Sequence, residues 1–191
     1  MFEQYKTNAL KDYNNAKLNN LADKDILKEL DGFNELADYY TTSSCSGRIL
    51  LLRLNKKREK MPKAFYYKTH SKASELEVLK QVKNYDDKFD LWFKLEPFII
   101  HIGCRDIEAA RKLLDYTKQL GIKRAGINAF SNRIIVEVIG TQTIDAPIIV
   151  DGRILVDTKY LKILTIEANK KMAKNKRVLH SFFKGSKVLN R

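Results

Sequence analysis

Cysteine is nearly missing from this 191-residue chain: only Cys45 and Cys104 occur, far apart and without CxxC spacing. That excludes a disulfide framework and a cysteine zinc site, and no metal site is indicated. No run of about 18 apolar residues exists, and no leader-like segment opens the chain, so the expectation is a soluble cytoplasmic protein with no membrane partner. Acids are scarce, 23 Asp+Glu against 36 Lys+Arg, which leaves a net charge of +13. An excess of that size favours an anionic partner, nucleic acid first. Glycine is also sparse. The one strand-loop-helix candidate, Ile102-Gly103-Cys104-Arg105-Asp106, carries a single glycine where dinucleotide and Walker loops need several. A doubly wound nucleotide fold is therefore the weaker alternative.

What is present reads as globular, with 44% apolar and 31% charged residues. Phe2, Tyr5, Ala9 and Tyr13 recur at helical spacing and predict an amphipathic helix to about Leu18. A second helical pattern follows Asp23 and resumes after Asp31-Gly32 through Phe33, Leu36 and Tyr40. Ile49 to Leu52 then predicts a strand buried on both faces. Arg53 to Lys63 holds six basic residues against Glu59 and reads as a mobile basic loop. Phe65 to Tyr67 predicts a strand leading to His70. Ser74 and Glu77 have capping-box spacing ahead of a helix with Leu76, Leu79 and Val82 on one face. Phe89 to Leu95 alternates as a strand, Pro97 marks a bulge, edge or bend, and Phe98 to Ile102 resumes it. Asp106 is the N-cap and Gly121 the C-terminal stop of a further helix. Strands at 125–129 and 134–139 flank Ser131-Asn132, and Asp151-Gly152 is the strongest hairpin signal. Asp157 or Thr158 caps the last helix, and residues 158–191 hold ten Lys/Arg and one acid, Glu167. The sum is an α+β fold around a mixed β-sheet with hairpins and packed helices, non-Rossmann, in a single domain over 1–191 with a long basic C-terminal helix and tail from 158.

Between the second helical pattern and the buried strand lies Thr41-Thr42-Ser43-Ser44-Cys45-Ser46-Gly47-Arg48, five hydroxyls, a thiol and a glycine ending in an arginine. It reads as a donor-rich loop in which Gly47 has freedom of φ. Its place after a helix would put a helix C-terminus beside it, a poor phosphate site and a tolerable one for a cation.

The order Tyr39-Tyr40-Thr41-Thr42-Ser43-Ser44-Cys45-Ser46-Gly47-Arg48-Ile49, then His70, then Leu95-Glu96-Pro97-Phe98-Ile99-Ile100-His101-Ile102-Gly103-Cys104-Arg105, then Gly126-Ile127, resembles the wybutosine-synthesis N4-methyltransferase family of tRNA modification. The likeness continues through Ala146-Pro147-Ile148 and Ala168-Asn169-Lys170-Lys171-Met172. Where the family has Asp after the motif histidine, this chain has Ser71.

The resemblance implies methyl transfer from S-adenosylmethionine to N4 of a demethylwyosine derivative, of the aminocarboxypropyl type, beside the anticodon of phenylalanine tRNA. Ser43, Ser44, Ser46 and Gly47 would then shape the cofactor or base pocket. Arg48 would order it or bind a carboxylate, and Glu96 would bond the ribose, the base or a neighbouring cation. His70, His101 and Asp38 are the candidate bases. Lys56, Lys57, Arg58, Lys60, Lys170, Lys171, Lys174, Lys176 and Arg177 would contact RNA phosphates, with Tyr39, Tyr40 or Trp92 as a base platform. The competing reading is a noncatalytic tRNA-binding module that serves another modifying enzyme. No obligate protein partner is expected.

Overall fold

The computed structural model describes Met1 to Asn190, side chains of Met61 and Pro62 excepted; Arg191, the end of the expected basic tail, lies outside the described residues. In chain order the elements are α1 (Phe2–Leu18), a 3-10 turn (Lys24–Ile26), α2 (Leu27–Asn34), β1 (Tyr39–Cys45), β2 (Arg48–Leu54), β3 (Lys60–Thr69), α3 (Glu75–Lys83), β4 (Asp90–Glu96), β5 (Ile99–Cys104), α4 (Ile107–Gln119), β6 (Arg124–Phe130), β7 (Ile134–Ile139), β8 (Ile144–Val150), β9 (Arg153–Ile154) and α5 (Thr158–Gly185). The class is α+β, and the strands form two sheets, both antiparallel in every described pairing. The chain divides into two compact units, Met1–Ser46 with Phe98–Thr141 and the stretch from Asn175, and Gly47–Pro97 with Gln142–Lys174.

The first unit carries the four-stranded sheet β1-β5-β7-β6. Its core joins Leu30 and Phe33 of α2 to Ile100 and Ile102 of β5, Ala110 and Leu113 of α4, Val136 and Val138 of β7, and Leu179 and Phe182 of α5. Phe33, Phe182 and Phe183 pack ring to ring at 5.3–5.9 Å. Asp106 caps α4 by accepting from the Ala109 N–H at 2.8 Å, and Gly121 stops that helix at φ 72°.

The second unit carries β3-β2-β4-β8-β9. β2 is covered on both faces, as its apolar run requires. Ile49 and Leu51 join Leu91, Phe93 and Leu95 under Val78, Val82, Leu161 and Met172 of the helices. Leu50, Leu52 and Leu54 turn the other way, toward Ala64 and Trp92. Asn169 clamps Ala73 with two hydrogen bonds, 2.8 and 2.9 Å, tying α5 to the start of α3. Asp151 and Gly152 take φ 49° and 72°, the positive pair that a tight hairpin demands.

Three local expectations change. The hydroxyl-rich stretch is not a loop: Thr41 to Cys45 lie in β1, an edge strand, and only Ser46-Gly47 connect β1 to β2. β-branched and aromatic residues open it, and an edge position lets hydroxyls stay wet. The helix ends at Asn34, well before Tyr40. The basic run is not a loose loop either. It is the tip of the β2–β3 hairpin, closed by Asn55 N–H to Glu59 O at 3.1 Å and Arg58 N–H to Asn55 O at 2.9 Å. Finally, Leu76 is 76% exposed; the buried stripe of α3 is Val78, Leu79 and Val82.

Candidate active site

In the first unit, the pairing of β1 with β5 sets Ser43 opposite His101, just past a register shift between Thr41 and Ser43. The pairing of β5 with β7 sets His101 opposite Glu137. The side chains follow the ladder. Ser43 Oγ lies 2.6 Å from His101 Nδ1, and His101 Nε2 lies 2.7 Å from Glu137 Oε2. A carboxylate only accepts, so Nε2 carries the proton and Nδ1 accepts from the Ser43 hydroxyl. This is a hydroxyl–imidazole–carboxylate chain with a basic nitrogen aimed at an exposed serine. Asn128 Nδ2 stands 3.5 Å from the same imidazole. Asn128 and Glu137 also line a depression of about 330 Å3 along Arg124–Asn128 of β6 and Ile139 of β7.

Sequence reasoning named Ser43 and His101 but missed Glu137 and Asn128. Glu137 had a signal: it is the one acid in the otherwise apolar strand Ile134-Ile135-Val136-Glu137-Val138-Ile139.

Asp38 meets neither histidine. It accepts from Arg105 Nε at 2.5 Å, and Arg105 also pairs with Glu3 at 2.8 Å and lies over the Phe2 ring. A carboxylate so engaged anchors α1 to the β1–β5 end. Ser46 follows β1, its backbone N–H donating to Asp23 at 2.9 Å, while its buried hydroxyl has no hydrogen-bond partner among the described residues. It lines a cavity of about 180 Å3 with Asp25, Ile26, Glu29, Lys176, Leu179, His180 and Phe183. Lys176 pairs with Asp25 at 2.5 Å, and His180 stands 3.4 Å from Glu29. Ser44 faces Ile100 across the ladder and is half-buried.

In the second unit, Gly47 takes φ 96°, a conformation natural to glycine. Its carbonyl accepts from His70 Nδ1 at 3.0 Å. Arg48 and Glu96, expected to serve a ligand, answer each other at 2.6 Å. Lys56, Lys57, Arg58 and Lys60 are exposed around the hairpin tip, beside a hollow of about 390 Å3 that Lys56 and Lys57 line with Lys88, Phe89 and Asp90. On α5, Lys170 pairs with Glu167 at 2.7 Å, Lys171 donates to Thr143 O at 3.3 Å, and Lys174 and Arg177 are exposed. The expected base platforms Tyr39 and Tyr40 are each 1% exposed and cannot stack on a ligand. Tyr39 donates to Ala109 O at 2.9 Å, and Tyr40 lies over Gly103. Trp92 is half-buried, with the Arg58 guanidinium 4.3 Å from its ring centroid.

No helix among the described residues is long and apolar enough to cross a membrane. A family model described as Methyltransferase TYW3 matches residues 4–186. A tRNA(Phe) 7-((3-amino-3-carboxypropyl)-4-demethylwyosine(37)-N(4))-methyltransferase of Methanocaldococcus jannaschii is 37% identical over 161 residues, 83% of either chain. Its namesake from Archaeoglobus fulgidus is 35% identical over 94% of this chain and 90% of its own. The solved structure of the PH1069 protein from Pyrococcus horikoshii superposes with a TM-score of 0.93 at 32% identity, covering 99% of this chain and 95% of that one.

Proposed function

Because the chain belongs to the TYW3 methyltransferase family, we propose that it methylates N4 of a 7-(3-amino-3-carboxypropyl)-4-demethylwyosine-type base at position 37 of phenylalanine tRNA, in the cytoplasm. The match across 4–186 supports treating residues 1–191 as one functional methyltransferase-like domain.

The observation that carries the chemistry is the Ser43–His101–Glu137 chain. Methylating a ring N–H requires that its proton leave as the new N–C bond forms. Ser43 is placed to accept that proton while passing its own to His101 Nδ1, and Glu137 holds the ring in the needed tautomer and faces the resulting imidazolium. Among the three candidate bases we therefore assign this role to His101, which joins an exposed hydroxyl to a carboxylate; Asp38 is occupied by Arg105. The adjoining depression along β6 offers space for a planar base.

S-adenosylmethionine, the general donor of methyltransferases, supplies an electrophilic sulfonium methyl when bound. The cavity beside Ser46 fits its methionyl end. Ile26, Leu179 and Phe183 suit the thioether carbons, and the Ser46 hydroxyl is without a hydrogen-bond partner among the described residues; Asp25 and Lys176 answer each other, as do Glu29 and His180, so the ammonium and the carboxylate would have to exchange with these pairs. Its size is below the roughly 300–1,000 Å3 of sites that enclose a whole ligand, so it would take one end. Of the expected cofactor set, Ser46 is the residue best supported. Arg48 and Glu96 already neutralise each other.

The test incubates the protein with labelled S-adenosylmethionine and unmethylated precursor tRNA, then looks for one added methyl on the tricyclic nucleoside by mass spectrometry. His101→Gln is expected to lower kcat by about 10^2- to 10^4-fold with little change in KM, and Glu137→Gln to act in the same direction. A wild-type rate in His101→Gln removes the relay. The noncatalytic alternative is met by tRNA binding without cofactor-dependent thermal stabilisation or methyl transfer.

A further inference from the structure

The five-stranded sheet has two unlike faces. Helical residues of α3 and α5 cover one of them. On the other, the cluster Leu50, Leu52, Leu54, Ala64 and Trp92 includes no helical residue among those described. Phe65 stands on this face, paired with Leu52 on the edge strand β3, and is 38% exposed. Three cations surround its ring: the Arg48 guanidinium at 4.6 Å from the centroid, and the Lys60 and Lys68 ammoniums at 5.6 and 5.7 Å. Glu96 fixes Arg48, and Asp145 answers Lys94 at 2.6 Å. Lys60 and Lys68 are exposed and make no ion pair among the described residues. Their charge is available to a ligand.

An exposed ring on an unpaired sheet edge is ordinarily a liability. Ringed by cations, it matches a ligand that brings both a π-face and negative charge. A single-stranded RNA segment does so at every nucleotide: bases stack on aromatic rings and phosphates meet lysines. An acidic peptide would supply the charge alone.

We propose that Phe65 is the stacking platform for an unpaired base of the tRNA anticodon loop, with Lys60 and Lys68 holding the phosphates on either side. Arg48, clamped by Glu96, packs on the ring and keeps it in place. This rests on the tRNA reading above and adds a platform that neither Tyr39 nor Tyr40 provides.

The test is fluorescence anisotropy with a labelled anticodon stem-loop and with the same hairpin made abasic at its loop positions, over a series of salt concentrations. Phe65→Ala is expected to weaken binding of the intact stem-loop by roughly 5- to 150-fold, the range of one base stack, and to leave binding of the abasic hairpin unchanged. Phe65→Tyr retains the wild-type affinity and keeps the packing of β3, which separates stacking from misfolding. Lys60→Ala with Lys68→Ala flattens the slope of log affinity against log salt by about 1.4 for two single-strand phosphates. Wild-type affinity in Phe65→Ala, or equal affinity of the native protein for intact and abasic loops, overturns the platform while leaving the tRNA assignment in place. Failure of the native protein to bind either tRNA or stem-loop overturns both.

Discussion

Cys104 shows how burial settles a side chain's chemistry. It ends β5 at 3% exposure, and desolvation, with the charge of Asp106 second, pushes its thiol up to about 12. A thiol kept neutral is no nucleophile, in line with methyl transfer that needs no covalent enzyme intermediate. The raised value also ties stability to pH. The folded state favours the protonated form, while the unfolded chain ionises near the ordinary value of about 8.5. The contribution is therefore complete below about 8.5 and is lost as pH climbs toward 12. Urea unfolding across that alkaline window is expected to show Cys104→Ala losing stability less steeply than the native chain. In a thiol-reagent assay at mild pH, Cys104 is expected to react only upon unfolding; equal rates for both cysteines in the folded protein would contradict its burial. The relay residues illustrate what a sequence can and cannot disclose. Ser43 and His101 stood out by type and by motif, whereas Glu137 enters through the register of β5 against β7, which no spacing along the chain encodes.

Helix caps and turns with local rules were legible. Asp106 before α4, Ser74 before α3 and Asp151-Gly152 between β8 and β9 each satisfy backbone groups or dihedrals fixed within a few residues. β1 was not legible, because its hydroxyl-rich composition is that of a turn and only pairing with β5 makes it a strand. The same pairing explains a glycine whose role the sequence left open. Tyr40 is opposite Gly103, and a Cβ built at Gly103 would fall 2.1–2.6 Å from the Tyr40 ring. Tyr40 is buried and cannot swing away. Gly103→Ala is expected to destabilise the protein by about 1–3 kcal/mol or more through overpacking. Adding Tyr40→Leu to Gly103→Ala should recover part of that loss, a coupling that a double-mutant cycle in urea reads directly. Additive losses would mean that the ring does not rest on the glycine.

The net charge of +13 pointed to an anionic partner, but composition cannot tell which cations remain available, since pairing is a property of the folded chain. Of the nine basic residues expected at RNA, Lys176 is held by Asp25, Lys170 by Glu167 and Lys171 by a backbone carbonyl. Lys57, Arg58, Lys60, Lys174 and Arg177 are exposed, and Lys56 meets Asp151 at 3.4 Å with 89% of its side chain in solvent. Each cation that neutralises a phosphate contributes about 0.7–0.9 to the slope of log affinity against log salt. Reversing Lys56 and Lys57 to Glu at the hairpin tip is therefore expected to weaken tRNA binding and flatten that slope by roughly 1.5, and reversing Lys174 and Arg177 to do the same for the helix. Lys176→Ala should change the slope far less, because its ammonium is already spent on Asp25. Titrations of tRNA at several salt concentrations check all three. If the hairpin variant keeps the native slope while the helix variant loses it, the RNA backbone follows α5 and the β2–β3 tip lies outside its path; loss in both, with Lys176→Ala unchanged, is the pattern that the distribution of unpaired charge requires.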